Sequence, residues 1–205
     1  MRFSPPADLT PFSGFIFDCD GTLVDTMPLH LRAWRHALSR GGANFDFTWE
    51  LLLKRAGMSL EGTVRALADE FGQELNVEAI ASEQRAHFGR LEQEVVPISE
   101  VLEFARQLRS HFPLAVASGS SRASVVACLE RIGVLDWFDV ILTPENVERG
   151  KPEPDMFLLA AQLMQVDPQR CLVIEDGAFG IEAARRAGMH CAIVATVDDL
   201  GPQHD

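Results

Sequence analysis

Residues 14–26 read G-F-I-F-D-C-D-G-T-L-V-D-T, and the fold is decided by how this stretch is read. Gly14 to Phe17 is apolar at every position rather than at alternate ones, the pattern of a parallel strand covered on both faces. The run ends in acid, Asp18 and then Asp20, and Gly21 follows as a turn residue. A buried strand therefore delivers two carboxylates to one loop.

Toward the C-terminus, similar short apolar runs occur at Leu114 to Ala117, Val140 to Leu142, Cys171 to Ile174 and Cys191 to Val194. Helical patterns at Ser121 to Ile132, Asp155 to Gln165 and Ala178 to Ala187 separate the later ones. This alternation predicts an α/β fold with a Rossmann-like parallel sheet and helices on both faces. Between Asp25 and Val95 the strand signals vanish and the apolar spacing becomes helical, as in Leu29, Ala33, Trp34, Ala37 and again Val64, Leu67, Ala68, Phe71. Gly41-Gly42, Gly57 and the segment Gly72 to Asn76 divide this region into about four helices, and Pro97 marks the return to the sheet. The expected organisation is a catalytic core of residues 1–25 and 96–205 carrying an inserted α-helical domain of residues 26–95.

A chain of 205 residues, 47% apolar and 23% charged, has the composition of a folded globular protein and the length for one core plus a smaller insert. The formal charge of −12 and the lack of a basic tract argue against nucleic-acid binding. No window approaches the ~20 apolar residues that cross a bilayer, and the start MRFSPPADLT has no signal-peptide apolar stretch, so the expectation is a cytoplasmic protein without a membrane partner. Cys19, Cys128, Cys171 and Cys191 form neither a C-x-x-C pair nor a zinc spacing and are expected to be reduced, mostly buried thiols. Nothing in these features sets the oligomeric state.

In a parallel sheet the strands' carboxyl ends share one edge, where ligands bind. Four strand ends bring polar groups there: Asp18 and Asp20; Ser118, Gly119 and Ser120; Lys151; and Glu175 with Asp176. Each alone has a plain structural explanation, such as turn chemistry for the aspartates or helix capping for Ser120 or Ser121. Together, several carboxylates in one crevice repel one another unless a cation is present. Mg²⁺ suits them, since it prefers oxygen ligands and keeps several waters. Asp18 and Asp176 are the expected direct carboxylate ligands, the Asp20 main-chain carbonyl would complete the protein's share, and Glu175 would bind directly or through water. With only two lysines in the chain, Lys54 and Lys151, the placement of Lys151 at a strand end is informative.

The segments D-C-D-G-T-L-V-D-T, S-G-S at 118–120, K-P-E-P-D at 151–155 and I-E-D-G at 174–177 resemble, in order, the four motifs of the haloacid dehalogenase superfamily. The resemblance covers nearly the whole chain, including the insert, which looks like the helical cap of the β-phosphoglucomutase-like group. It implies that Asp18 is a nucleophile forming an aspartyl-phosphate and that Asp20 is the general acid and base. It further implies that Ser118 and the Gly119 amide bind the phosphoryl group of a small phosphorylated metabolite, and that Lys151 neutralises its charge and holds Asp18. One departure is Gly177, where relatives often carry serine.

Asp20 favours phosphate esters over haloacids, because a departing halide needs no proton. It also counts against a phosphonate-cleaving relative, for which Lys54 is the sole candidate to form a Schiff base. A non-enzymatic phosphate-binding module would be natural only if Asp18 or Asp20 were replaced. Between a phosphatase and a sugar-phosphate mutase, the cap arginine that grips a distal phosphate in mutases aligns with Leu60, so hydrolysis is expected and isomerisation is the alternative. The wording E-D-x-x-F-G at Glu175 to Gly180 is similar to bacterial fructose-1-phosphate phosphatases. His30 is either a positioning partner of Asp20 or a histidine packed on its helix, and Arg55 and Arg85 are candidate cap cations facing the substrate.

Overall fold

The computed structural model describes residues 2–195 of the chain. Met1 and the last ten residues of the expected core, 196–205, lie outside the described residues. The first strand, β1 (Gly14–Phe17), is followed by four helices, α1 (Met27–Arg40), α2 (Trp49–Leu53), α3 (Leu60–Phe71) and α4 (Val77–Leu91). Next come α5 (Ser99–Leu108), β2 (Leu114–Ala117), α6 (Arg122–Arg131) and β3 (Val140–Leu142). The described chain closes with α7 (Asp155–Met164), β4 (Cys171–Glu175), α8 (Ala178–Arg186) and β5 (His190–Ile193).

All strand pairings are parallel, in the order β3-β2-β1-β4-β5, with β1 at the centre. Phe15, Ile16 and Phe17 are wholly buried because the strand is covered on both sides. Phe15 and Phe17 pack with Phe104, Leu108, Val125 and Leu129 of α5 and α6, while Ile16 packs with Met156, Phe157 and Ala160 of α7 and with Ala183 of α8. The strand's two-residue alternation thus feeds two separate cores. Truncating either phenylalanine to alanine costs about 3–5 kcal/mol. From β1 the chain builds to one side through β2 and β3, then crosses to the other side of β1 for β4 and β5. The carboxyl end of β1 is therefore the point where strand order reverses and a crevice opens.

The insert has its own apolar cluster, with Met27, Trp34, Ala37 and Leu38 of α1 packed on Phe47, Leu52, Val64, Leu67 and Ile80. Side chains of Thr48, Ser59 and Asn76 cap the starts of α2, α3 and α4, and Gly72, at φ 58°, stops α3 in the left-handed conformation that glycine tolerates best. The two passages between sheet and insert run side by side: Asp25 N donates to Val96 O at 2.8 Å and Ile98 N to Leu23 O at 3.0 Å. Sequence periodicity did not single out α5, although its apolar face (Val101, Phe104, Ala105, Leu108) closes one side of the main core. The strand expected at Cys191 to Val194 is displaced by one residue, to His190–Ile193. All four cysteines are free thiols; Cys191 alone is only partly covered.

Candidate active site

The carboxyl ends of β1, β2 and β4 and the loop after β3 bring Asp18, Asp20, Ser118, Lys151, Glu175 and Asp176 together, although Lys151 and Asp18 are 133 residues apart in sequence. The Lys151 ammonium sits between two carboxylates, 2.7 Å from Asp18 Oδ1 and 2.6 Å from Glu175 Oε1, with its side chain completely buried. Burial disfavours its charge, but the two anions outweigh that and raise its pKa above the usual lysine value. Glu175 Oε2 accepts from the main-chain N–H groups of Asp176 and Gly177, both at 2.7 Å, so both its oxygens are occupied by the protein. This folding-back requires Gly180, since a Cβ there would lie 1.6 Å from Glu175 Oε1.

Asp176 Oδ1 accepts from Thr22 Oγ1 at 2.9 Å. Gly21, at φ +85°, allows the close approach of the two loops, because a Cβ on it would fall 2.2 Å from Asp176 Oδ2. Asp18, Glu175 and Asp176 each present an oxygen within 4.8 Å of the others. Burial first, then the neighbouring Glu175 charge, push the Asp18 carboxyl up to about 8 despite Lys151. Burial and the charges of Glu175 and Asp18 likewise raise Asp176. One lysine does not neutralise this group, and Asp18 Oδ2 and Asp176 Oδ2 have no protein donor among the described residues. A hard cation with oxygen preference fits this donor set.

Asp20 is held differently. Its Oδ1 accepts from Thr26 Oγ1 at 2.7 Å and faces His30 Nε2 at 3.1 Å, while its Oδ2 accepts from Ser120 Oγ at 2.6 Å and from Ser118 Oγ at 3.5 Å. Burial opposes its ionisation, but the His30 charge and the hydrogen bonds from His30, Ser120 and Thr26 prevail and hold the carboxyl below its usual range. The Gln84 side-chain amide lies 3.2 Å from His30 Nδ1 and orients the ring so that Nε2 faces Asp20. His30 also stacks on Phe88, with ring centroids 4.2 Å apart.

Ser121 caps α6, leaving Ser120 free for Asp20. Sequence reasoning did not reach this role for Ser120, nor those of Thr22, Thr26 and Gln84. For Thr22 and Thr26 the available signal was a hydroxyl within a few positions of the acids; Ser120 and Gln84 lie far from Asp20 and His30 in sequence.

The cavity over these groups measures about 60 Å³. The insert's share of its wall is largely apolar, from Met27, Trp34, Phe47, Leu52, Met58 and Leu60. Arg55 also lines it, pairing with Glu70, whereas Arg85 does not: it is exposed, bonds Glu61 at 3.0 Å and borders a separate groove with Ser59, Gly119 and Glu145. Gly119 and Gly177 let the insert's loop rest on the core, since a Cβ at either would meet the carbonyl oxygen of Gly57 at 2.8 Å or of Ala56 at 3.0 Å.

A family model for haloacid dehalogenase-like hydrolases matches residues 12–188. The fructose-1-phosphate phosphatase YqaB of Escherichia coli is 34% identical over 87% of this chain and 94% of its own length. The β-phosphoglucomutase of Bacillus subtilis is 31% identical over 85% of this chain and 79% of its own length. Among solved structures, the β-phosphoglucomutase of Clostridium difficile superposes with a TM-score of 0.80 at 25% identity, over 92% of this chain and 87% of that one. No helix among the described residues is long and apolar enough to cross a membrane.

Proposed function

The chain belongs to the haloacid dehalogenase-like hydrolases, and from that premise we propose that it is a Mg²⁺-dependent phosphatase of a small phosphorylated carbohydrate, working through an aspartyl-phosphate on Asp18. The observation that carries this reading is the contrast between two carboxylates at one strand end. Asp18 is fixed by Lys151 beside an unneutralised acidic cluster, and Asp20 is fixed by hydroxyls and His30 outside it.

An Asp18 oxygen attacks phosphorus, the bond from phosphorus to the carbohydrate oxygen breaks, and Asp20 donates the proton that the leaving oxygen takes up. Water then attacks the aspartyl-phosphate, Asp20 takes that water's proton, and inorganic phosphate leaves with Asp18 restored. In the present hydrogen-bond arrangement Asp20 is a carboxylate, the form required for the second step. To serve as acid in the first step it must be protonated, which the loss of some of its four donors on substrate binding favours. Ser118 and the Gly119 amide hold phosphoryl oxygens, and Lys151 offsets their charge while keeping Asp18 in place. Glu175 acts through Lys151 as a positioning residue. Asp18, Asp176 and the Asp20 main-chain carbonyl would hold Mg²⁺, which when bound supplies positive charge to the acidic cluster and to the phosphate. Residues 26–95 serve as a cap over a core formed by 1–25 and 96–205, and the cavity between them would receive the metabolite.

Hydrolysis is favoured over isomerisation because Leu60 offers a distal phosphate no charge at its place in the wall, and the Arg55 guanidinium in that wall is already paired with Glu70. The test is phosphate release with Mg²⁺ from fructose 1-phosphate and other sugar monophosphates, together with β-glucose 1-phosphate plus catalytic 1,6-bisphosphate. Inorganic phosphate should dominate, and Asp18→Asn should lower its release by more than about a hundredfold. Efficient formation of glucose 6-phosphate with little free phosphate would make the protein a mutase.

A further inference from the structure

We propose that Gln84 is a positioning residue for proton transfer by Asp20, acting through His30. The inference rests on the phosphatase reading, in which Asp20 protonates the leaving oxygen, and adds to that step a side chain that does not line the catalytic cavity. Gln84 is 1% exposed, although glutamine is seldom fully buried. Burying an amide is unfavourable unless it finds a hydrogen-bond partner, and the partner here is the His30 imidazole, with Nδ1 3.2 Å away. An apolar side chain would fill the same space without that cost, so packing alone does not account for a glutamine at this place.

Gln84 and Phe88 stand one turn apart on α4, and both reach the His30 ring, which α1 carries. Their constraints differ. Phe88 stacks on the ring with centroids 4.2 Å apart and planes 10° from parallel, which sets the tilt of the imidazole but not which edge faces Asp20. The torsion that turns a histidine ring over is broad and roughly two-fold, and a ring turned over would bring carbon toward the acid where nitrogen now stands. Gln84 holds Nδ1, which leaves Nε2 to meet Asp20 Oδ1 at 3.1 Å. Thr26 holds that same oxygen at 2.7 Å, so Oδ2 is the oxygen beside Ser118 and Ser120. The phosphoryl group would sit on that side, and the proton leaves from Oδ2. Without Gln84 the ring is free to turn, and the carboxyl group with it.

The experiment exploits how much an ester needs the acid. An alkoxide leaving from a sugar phosphate requires the proton, whereas p-nitrophenolate is stable as an anion and leaves without one. Because kcat/KM covers the steps up to transfer of the phosphoryl group to Asp18, the later task of Asp20 as base does not enter. Wild type, Gln84→Met, His30→Ala and the double variant are measured with Mg²⁺ on the best sugar monophosphate and on p-nitrophenyl phosphate. Thermal unfolding checks that each is folded, and Gln84→Leu replaces Gln84→Met if the latter is not. General acid catalysis contributes about 10²–10⁴-fold, so Gln84→Met should lower kcat/KM for the sugar ester by about tenfold or more and for the aryl ester by less than about twofold. In the His30→Ala background the same substitution should cost the sugar ester less than about a further twofold, because its route to Asp20 is gone. Unchanged hydrolysis of the sugar ester, equal losses for the two esters, or a full loss added to that of His30→Ala would overturn the role of Gln84. A wild type that releases phosphate from neither ester would instead overturn the phosphatase reading beneath it.

Discussion

Alanine at position 119 adds one methyl group in a place where the structure predicts a specific loss. Its Cβ would stand 2.8 Å from Gly57 O, 3.2 Å from Gly57 C and 3.4 Å from Met58 O, all main-chain atoms that cannot rotate away. Gly119 is not among the glycines with positive φ, so alanine brings no backbone strain of its own, and its amide remains available to phosphate. The methyl is accommodated only if the loop Ala56–Met58 lifts off the core, a form of overpacking that costs about 1–3 kcal/mol. Because the insert can yield along the paired linkers at Asp25 and Val96, the cost falls on the closed cavity rather than on either apolar core. The same energy expressed in catalysis is a fall in kcat/KM of about 5- to 150-fold. Steady-state phosphate release and thermal unfolding, measured on the same preparation, test this. A kcat/KM within about twofold of wild type, or a melting temperature that falls by more than about 4 °C, would refute the argument that the glycine serves cap contact rather than folding.

Asp20→Asn should lose turnover while binding Mg²⁺ with nearly unchanged affinity in calorimetry, because its side chain is taken up by Thr26, His30 and Ser120. Asp176→Asn should weaken that affinity by about tenfold or more, and the reverse order would exchange the assigned roles. Without a cation, Asp18 binds its proton more tightly in the folded than in the unfolded chain, so stability should fall as pH rises from about 4, its unfolded value, toward about 8, its folded value. Mg²⁺ binds the deprotonated carboxylates, so the rise in melting temperature it causes should be larger at about pH 8.5 than at about pH 5.5; an equal or opposite effect would argue against a cation at Asp18 and Asp176.

Local pattern was enough to read the strands, because a parallel strand covered on both faces must be apolar at successive positions, as Phe15, Ile16 and Phe17 are. The helical insert was legible for a similar reason: the helical period of its apolar residues and its glycine breaks belong to neighbouring positions. The acids, Ser118 and Lys151 were legible as a group because strand ends in a parallel sheet meet at one edge, so topology alone implies that distant residues converge. Helix α5 escaped notice because it stands directly after the insert, where its period continues the helical pattern before it.

What sequence could not supply were relations between side chains of unrelated position. That Glu175 turns both oxygens to the protein depends on Lys151 and on the absence of a side chain at Gly180. That Arg55 enters the cavity and Arg85 remains outside depends on how α2, α3 and α4 pack, since both are helix-region arginines with the same chemistry. The sequence by itself determined which elements form and which residues reach the common edge, because hydrophobic period and strand polarity are properties of consecutive residues. Tertiary structure alone decided the partners of each carboxylate and the wall facing the substrate, because hydrogen bonds of 2.6–3.1 Å and the fit of a glycine against a carbonyl are set by packing between segments up to 154 residues apart.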